Sequence, residues 1–224
     1  EKYNGKTMIV GSVTDGYNYF EAKYKRTRAF LEEMQGSGIN LIITTKSNLV
    51  TRDIDLITTY PNPLVAWSIN TLDEEFKKDM DSAPTIKSRI EAMKQVHDAG
   101  IRTTCFISPI FPGITDVFTI IEKIKDFCDY IWLENLNLRG TFKPTIINYI
   151  KEKHPELNDL YNKIYTKKDM SYWEGLDKKV QEYADKNGFM YVIDEEPFLK
   201  NPTGKPIIIN YFYHEKIRQL SKNK

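Results

Sequence analysis

Leu41-Ile42-Ile43-Thr44-Thr45-Lys46 is a short run, apolar at consecutive positions, that ends in two threonines and a lysine. Consecutive apolar residues suit a strand buried on both faces, which is the usual state of a parallel strand in an α/β protein. Four other runs have the same form: Met8 to Asp15, Val65 to Asn70, Thr104 to Pro109, and Tyr130 to Asn135. Each begins apolar and ends in small polar or charged residues. Between them lie segments of helical spacing over 21–34, 51–60, 72–80, 84–99 and 115–127. The 84–99 segment is the clearest, with Ile86, Ile90, Met93 and Val96 at intervals of three and four and Gly100 as its stop. Strands alternating with helices predict a parallel sheet or barrel with right-handed crossovers. In such folds the C-terminal strand ends meet on one side, where ligands bind. Thr14, Asp15, Lys46, Ser68, Asn70, Ser108, Glu134 and Asn135 are therefore expected on one pocket rim.

Only five strands fall before residue 134, too few for a closed eight-fold barrel. The expected architecture is a partial parallel barrel lacking its first βα unit, over residues 1–140. Residues 141–224 read as an extension packed on it. Within that extension 143–153 and 171–187 are helical, 189–193 is a late strand, and 205–213 is β-rich. Its β-rich run would pair with the barrel or cover one end.

The bulk numbers set limits. The 224 residues carry 32 basic and 31 acidic side chains, a net charge of +1. That balance gives no general attraction to nucleic acid or anionic membrane. No stretch reaches the length of a membrane span and no secretory leader is visible, so a cytoplasmic location is expected. Cys105 and Cys128 are the two cysteines. They read as buried thiols in a reducing compartment, and alone they are too few to ligate an iron–sulfur cluster. His97, His154 and His214 are scattered, and no spacing suggests a zinc site. Gly36-Ser37-Gly38 follows a helix and lacks the lysine of a phosphate loop.

Gly11 to Asn18, followed by Thr27-Arg28 and Leu31-Glu32, resembles the radical S-adenosylmethionine superfamily. The resemblance continues through Ile43 to Asp53, Trp67 to Glu74, Ala99-Gly100-Ile101, Ile107 to Gly113, Trp132 to Gly140 and Asn210 to His214. Within the superfamily it is similar to the spore-photoproduct-lyase-like branch, and there to the subgroup called radical SAM mobile pair protein B. The resemblance implies a partial (β/α)6 barrel, S-adenosylmethionine and a [4Fe–4S] cluster as cofactors, and a flavodoxin or ferredoxin as reductant. It also implies a second radical SAM protein as a partner. The cofactor would be cleaved to a 5′-deoxyadenosyl radical that abstracts hydrogen from a substrate, a nucleic acid or a peptide. The superfamily's CxxxCxxC loop is not in this stretch and is expected ahead of Glu1. Val13 stands where the lyases place a hydrogen-donating cysteine, which argues against their repair chemistry.

By the same resemblance Lys46 would meet the cofactor's carboxylate, and Ser68 its carboxylate or ribose. Thr14 and Asp15 would accept from its ammonium, although Asp15-Gly16 is equally ordinary turn chemistry. Ser108 would lie near the adenine or simply start a loop. Asn70, Glu134, Asn135, Asn137 and Arg139 are candidates for the substrate side, or for mutual capping. Tyr17 and Tyr19 would be pocket walls or a packing hinge, and His214 would reach toward the barrel mouth. Two rival readings remain open: a binding protein that retains only a cofactor-shaped cleft, and an unrelated aldolase-like barrel with Lys46 as Schiff-base nucleophile.

Overall fold

The five apolar runs form five parallel strands: β1 (Thr7–Val10), β2 (Asn40–Thr45), β3 (Leu64–Ser68), β4 (Arg102–Ile110) and β5 (Tyr130–Asn135). Two more follow, β6 (Met190–Ile193) and β7 (Ile207–Asn210). The computed structural model describes residues 2–138, 140–193, 199 and 203–212. The sheet is open, with order β1-β2-β3-β4-β5-β7-β6. Of the two alternatives for the β-rich run, pairing is observed: β7 lies parallel between β5 and β6, with Tyr130 opposite Ile207 and Met190 opposite Ile207 from the other side.

Strand residues alternate between two faces. Val65, Trp67, Cys105, Ile107, Ile131 and Leu133 pack in one cluster with helical residues such as Met93, Val96, Ile120 and Ile121. Leu64, Ala66, Tyr130, Trp132, Ile207 and Ile209 form a separate cluster on the other face, without any helical residue among those described. A doubly wound sheet carries helices on both faces. Helices on one face only are the arrangement of a partial barrel.

Among the described residues the helices are α1 (Glu21–Tyr24), α2 (Arg26–Glu33), α3 (Ile54–Ile57), α4 (Glu74–Met80), α5 (Ile86–Asp98), α6 (Val117–Ile124), α7 (Phe142–Lys153), α8 (Asn158–Tyr165) and α9 (Ser171–Asn187), of which α2, α3, α5, α6, α8 and α9 contribute to the cluster on the covered face. Three differ from the sequence expectation. The single helix over 21–34 is two, because Lys25 takes a left-handed conformation at φ 49. The break has a cause: it lets the Glu21 carboxylate accept from the Thr27 and Arg28 amides at 2.9 and 3.2 Å, capping α2 from outside. The helix over 51–60 is a 3-10 turn, Asn48–Asp53, followed by α3. The 115–127 helix ends in a 3-10 turn, Lys125–Phe127, so Cys128 follows the turn instead of riding a helix face. At α5 the start is fixed by Thr85, whose side chain accepts from the Ser88 amide, so Pro84 precedes the helix. α8 carries no signal that was read in the sequence. With α4 and α7 it packs Phe76, Ile146, Ile150 and Tyr161 against Phe111, Leu136 and Leu138, beyond the ends of β4 and β5.

Candidate functional site

The C-terminal ends of β1 and β2 open on a cleft of about 940 Å³, lined by Asp15, Tyr17, Tyr19, Phe20, Tyr24, Lys46, Asp81 and their neighbours. Its walls are built in layers. Asp15 ties the first two strand ends together. Its Oδ2 accepts from the Lys46 amide at 2.8 Å and its Oδ1 from the Tyr17 amide at 2.8 Å, while the Thr45 hydroxyl donates at 2.9 Å. These are the bonds of a turn cap, one of the two roles open to Asp15 from sequence. The Trp67 indole donates to the Ser47 carbonyl at 3.1 Å and so holds the turn after Lys46.

Behind this turn lies an ion network that the sequence reading did not pick out as a unit. Arg52 donates to Glu21 at 2.7 Å and to both Asp53 oxygens, and Arg28 donates to Asp53 at 2.8 Å and to Asp55. Asp53 is fully buried. Burial pushes its carboxyl up, but the bonds from Arg52 and Arg28 outweigh burial and hold it below the ordinary range. The same balance, burial against Arg52 and two backbone amides, lowers Glu21. The buried Tyr17 phenol faces this cluster, and burial first, then the Asp53 charge, raises its pKa. The network joins the segment after β1 to the segment after β2, and those segments are two of the cleft walls.

The third wall is the α4–α5 loop. Lys46 Nζ meets Asp81 Oδ2 at 2.9 Å. Asp81 Oδ1 accepts from Arg89 Nη2 at 2.8 Å, and Arg89, 1% exposed, also donates to the Ser68 carbonyl at 3.0 Å and the Pro84 carbonyl at 2.9 Å. Burial raises the Asp81 carboxyl, but Lys46 and Arg89 more than offset it, and the net shift is downward. Neither Asp81 nor Arg89 was singled out from sequence. The one available signal was a charged residue, Arg89, on the apolar stripe of α5.

Beyond Ser68 the polar chain runs across the sheet. The Ser68 hydroxyl donates to the Ser108 carbonyl at 3.0 Å, the Ser108 hydroxyl to Glu134 Oε2 at 2.6 Å, and the Asn70 amide to the Pro109 carbonyl at 3.1 Å. Strand ends β2 to β5 are thus linked in the order Lys46–Asp81–Arg89–Ser68–Ser108–Glu134. Thr14 is exposed on the loop after β1, Asn135 is half-buried at the end of β5, and Asn137 is exposed beyond it. Arg139 and His214 lie outside the described residues.

A metal cluster does not fit the residues present. Among the described residues no three His, Cys, Asp or Glu side chains stand together as ligands. Cys105 and Cys128 are buried, and the Cys128 thiol donates to the Tyr130 carbonyl at 2.9 Å while accepting from the Cys105 amide at 3.2 Å. A zwitterionic nucleoside does fit the cleft. The volume suits a ligand of that size, and its lining combines a cation, a carboxylate and aromatic rings.

Residues 1–127, more than half of the chain, match the Radical SAM superfamily. The chain belongs to the radical SAM superfamily. It is 36% identical over 152 residues to the uncharacterized protein MJ0683 of Methanocaldococcus jannaschii, covering 66% of this chain and 57% of that protein. It is 28% identical over 179 residues to an uncharacterized protein of Acidianus two-tailed virus, covering 74% of this chain and 59% of that one. The chain thus spans under three fifths of the length of these relatives. Among solved structures it is similar to SuiB of Streptococcus suis, determined also with S-adenosylmethionine bound. The TM-score is 0.48 at 11% identity, covering 66% of this chain and 36% of that one. No helix among the described residues is long and apolar enough to cross a membrane.

Proposed function

We propose that this chain supplies the S-adenosylmethionine cradle of a radical SAM enzyme, with residues 1–140 as the cofactor-bearing part and 141–224 as the extension packed on it. The observation that carries the reading is a cleft lined by Lys46, Asp81 and aromatic rings, tied to the end of β3 by the contacts Lys46–Asp81–Arg89–Ser68 although Ser68 does not itself line it. Lys46 binds the cofactor's carboxylate as a point charge. Ser68 and Ser108 present hydroxyls toward the ribose and adenine side, and Asp15 acts by fixing the backbone on which Lys46 stands. Glu134, with Asn70, Asn135 and Asn137, forms the substrate side at the ends of β3 to β5. The cofactor supplies adenosyl-radical chemistry in this superfamily. The residues present hold and orient it, and the three thiolates of a [4Fe–4S] site come from outside this stretch.

Titration calorimetry of the 224-residue chain with S-adenosylmethionine tests the reading. Saturable one-to-one binding with Kd below about 1 mM is expected. Heat that never saturates would remove the cradle. Anaerobic iron–sulfur reconstitution of the native gene product, assayed for 5′-deoxyadenosine, separates an enzyme from the second reading, a cleft protein without cluster chemistry.

A further inference from the structure

We infer that Glu134 is the recognition carboxylate for a primary alkylammonium: the substrate presents an aliphatic stem ending in an ammonium, as a lysine side chain does. The inference rests on the reading of the β3 to β5 ends as the substrate side, and it names the chemistry taken there.

Side chains two apart on a strand share a face. Phe106 and Ser108 of β4 therefore lie with Trp132 and Glu134 of β5, on the face whose cluster holds no helical residue among those described. The Ser108 hydroxyl bears this out by donating to Glu134 Oε2 at 2.6 Å. Beside that pair stand three rings. Phe106 and Trp132 have centroids 5.6 Å apart at 77°, and Trp132 and Tyr211 have theirs 6.4 Å apart at 86°. The Tyr211 amide donates to the Leu133 carbonyl at 2.8 Å, which sets the third ring beside the second. Glu134, Ser108, Phe106 and Tyr211 are all half-buried, so the group is reached from solvent.

A carboxylate drawn partly out of water is ordinarily matched by a cation. Among the described residues no cation pairs with Glu134, and the Ser108 bond leaves its Oε1 open. The rings beside it attract organic cations through their quadrupoles. The geometry then selects among cations. A guanidinium grips a carboxylate with a two-pronged fork that needs both oxygens, and Ser108 already holds Oε2. A quaternary ammonium has no N–H to give Oε1. A primary ammonium satisfies Oε1 with one N–H and turns its others to water. Its methylene stem covers the apolar rings while the charged head stays at the mouth. Glu134 is thus a specificity-determining residue, and Ser108 a positioning one that turns the carboxylate.

The test titrates the 224-residue chain with N-acetyl-lysine methylamide, its norleucine and arginine counterparts, and cadaverine. The readout is the indole N–H resonance of Trp132, which is buried without an acceptor and is assigned by Trp132→Phe. Trp67 and Trp173 lie in the other cluster and serve as controls. The lysine probe and cadaverine should shift the Trp132 signal saturably with Kd of about 1–10 mM. Norleucine, the stem without its charge, should bind about tenfold or more weakly. Tighter binding of the lysine amide identifies a peptide as the source, and tighter binding of cadaverine a free polyamine. Glu134→Gln should remove the preference for lysine over norleucine, and circular dichroism melts show that the variant folds. Equal response of the unaltered protein to lysine and norleucine overturns the inference. So does no response at all, arginine binding as tightly as lysine, or a folded Glu134→Gln variant that keeps the preference. S-adenosylmethionine heats without a lysine response leave the cofactor cradle standing and remove the ammonium site. A lysine response without S-adenosylmethionine binding does the opposite.

Discussion

The Arg89 guanidinium, buried in α5, donates to the main-chain carbonyl of Ser68 at the end of β3 at 3.0 Å. Through one side chain the start of a helix, a strand end and the Asp81 loop are fixed together. Arg89→Met preserves bulk but removes every one of these donors and takes the guanidinium bonds from the Ser68 and Pro84 carbonyls and from Asp81. Stability should fall by about 2–4 kcal/mol. Urea unfolding followed by tryptophan fluorescence measures it. A loss under about 0.5 kcal/mol would mean that the loop is held by other contacts.

Acid should unfold this protein through three carboxylates. Glu21, Asp53 and Asp81 all have folded-state pKa values below their ordinary ones, where the bonds from Arg52, Arg28, Lys46 and Arg89 outweigh burial. A depressed folded pKa gives stability that is complete above the unfolded value, about 4, and is lost as pH falls through the folded value. Unfolding free energy should therefore stay level from pH 7 to about 5 and drop below 4. Asp53→Asn, which removes the buried charge shared by two arginines that keep Glu21 and Asp55 as partners, should cost about 1–3 kcal/mol at pH 7 and less at pH 3. A cost independent of pH would show that the Asp53 charge is not what the network uses.

The two thiols should be inert. Burial pushes both the Cys105 and the Cys128 thiols well up, and the neighbouring Cys105 adds to the Cys128 shift. The thiolate is the reactive form. Ellman's reagent at pH 8 should find no thiol in the folded chain and two in denaturant. Fast labelling of either cysteine in the folded state would contradict their place in the core.

Gly11 ends β1 at φ 89, and a Cβ there would stand 2.1 Å from the Thr44 carbonyl oxygen on β2. The close approach leaves no room for a side chain, and the positive φ would strain one. Gly11→Ala should destabilise by at least about 2 kcal/mol, because the clash is with backbone. It should also loosen the Asp15 turn that follows. A melting temperature unchanged by the substitution would mean that the β1 end shifts freely.

The core strands were legible because their signal is local. Three or four consecutive apolar residues closed by polar ones mark a strand wherever they fall, and right-handed crossovers make the strands parallel neighbours. The late strand was legible for the same reason, and the Ile207–Ile209 run announced itself as β. Its position between β5 and β6 was not legible, since a sequence does not say which edge a late strand joins. The break at Lys25 was hidden too. A lysine carries no turn signal, and the left-handed residue is repaid by Glu21 capping amides six and seven residues away.

The candidate site divides along the same line. Lys46, Ser68, Ser108 and Glu134 are set by sequence alone, because a strand's last residues lie at its C-terminal end whatever surrounds them. Tertiary structure decided how they are joined. Lys46 faces Asp81, Arg89 donates to the Ser68 carbonyl, and Asp53 collects Arg28 from α2 as well as its neighbour Arg52. Charge pairing acts over about 3 Å between residues tens of positions apart, and no local pattern encodes which loop will come within that reach.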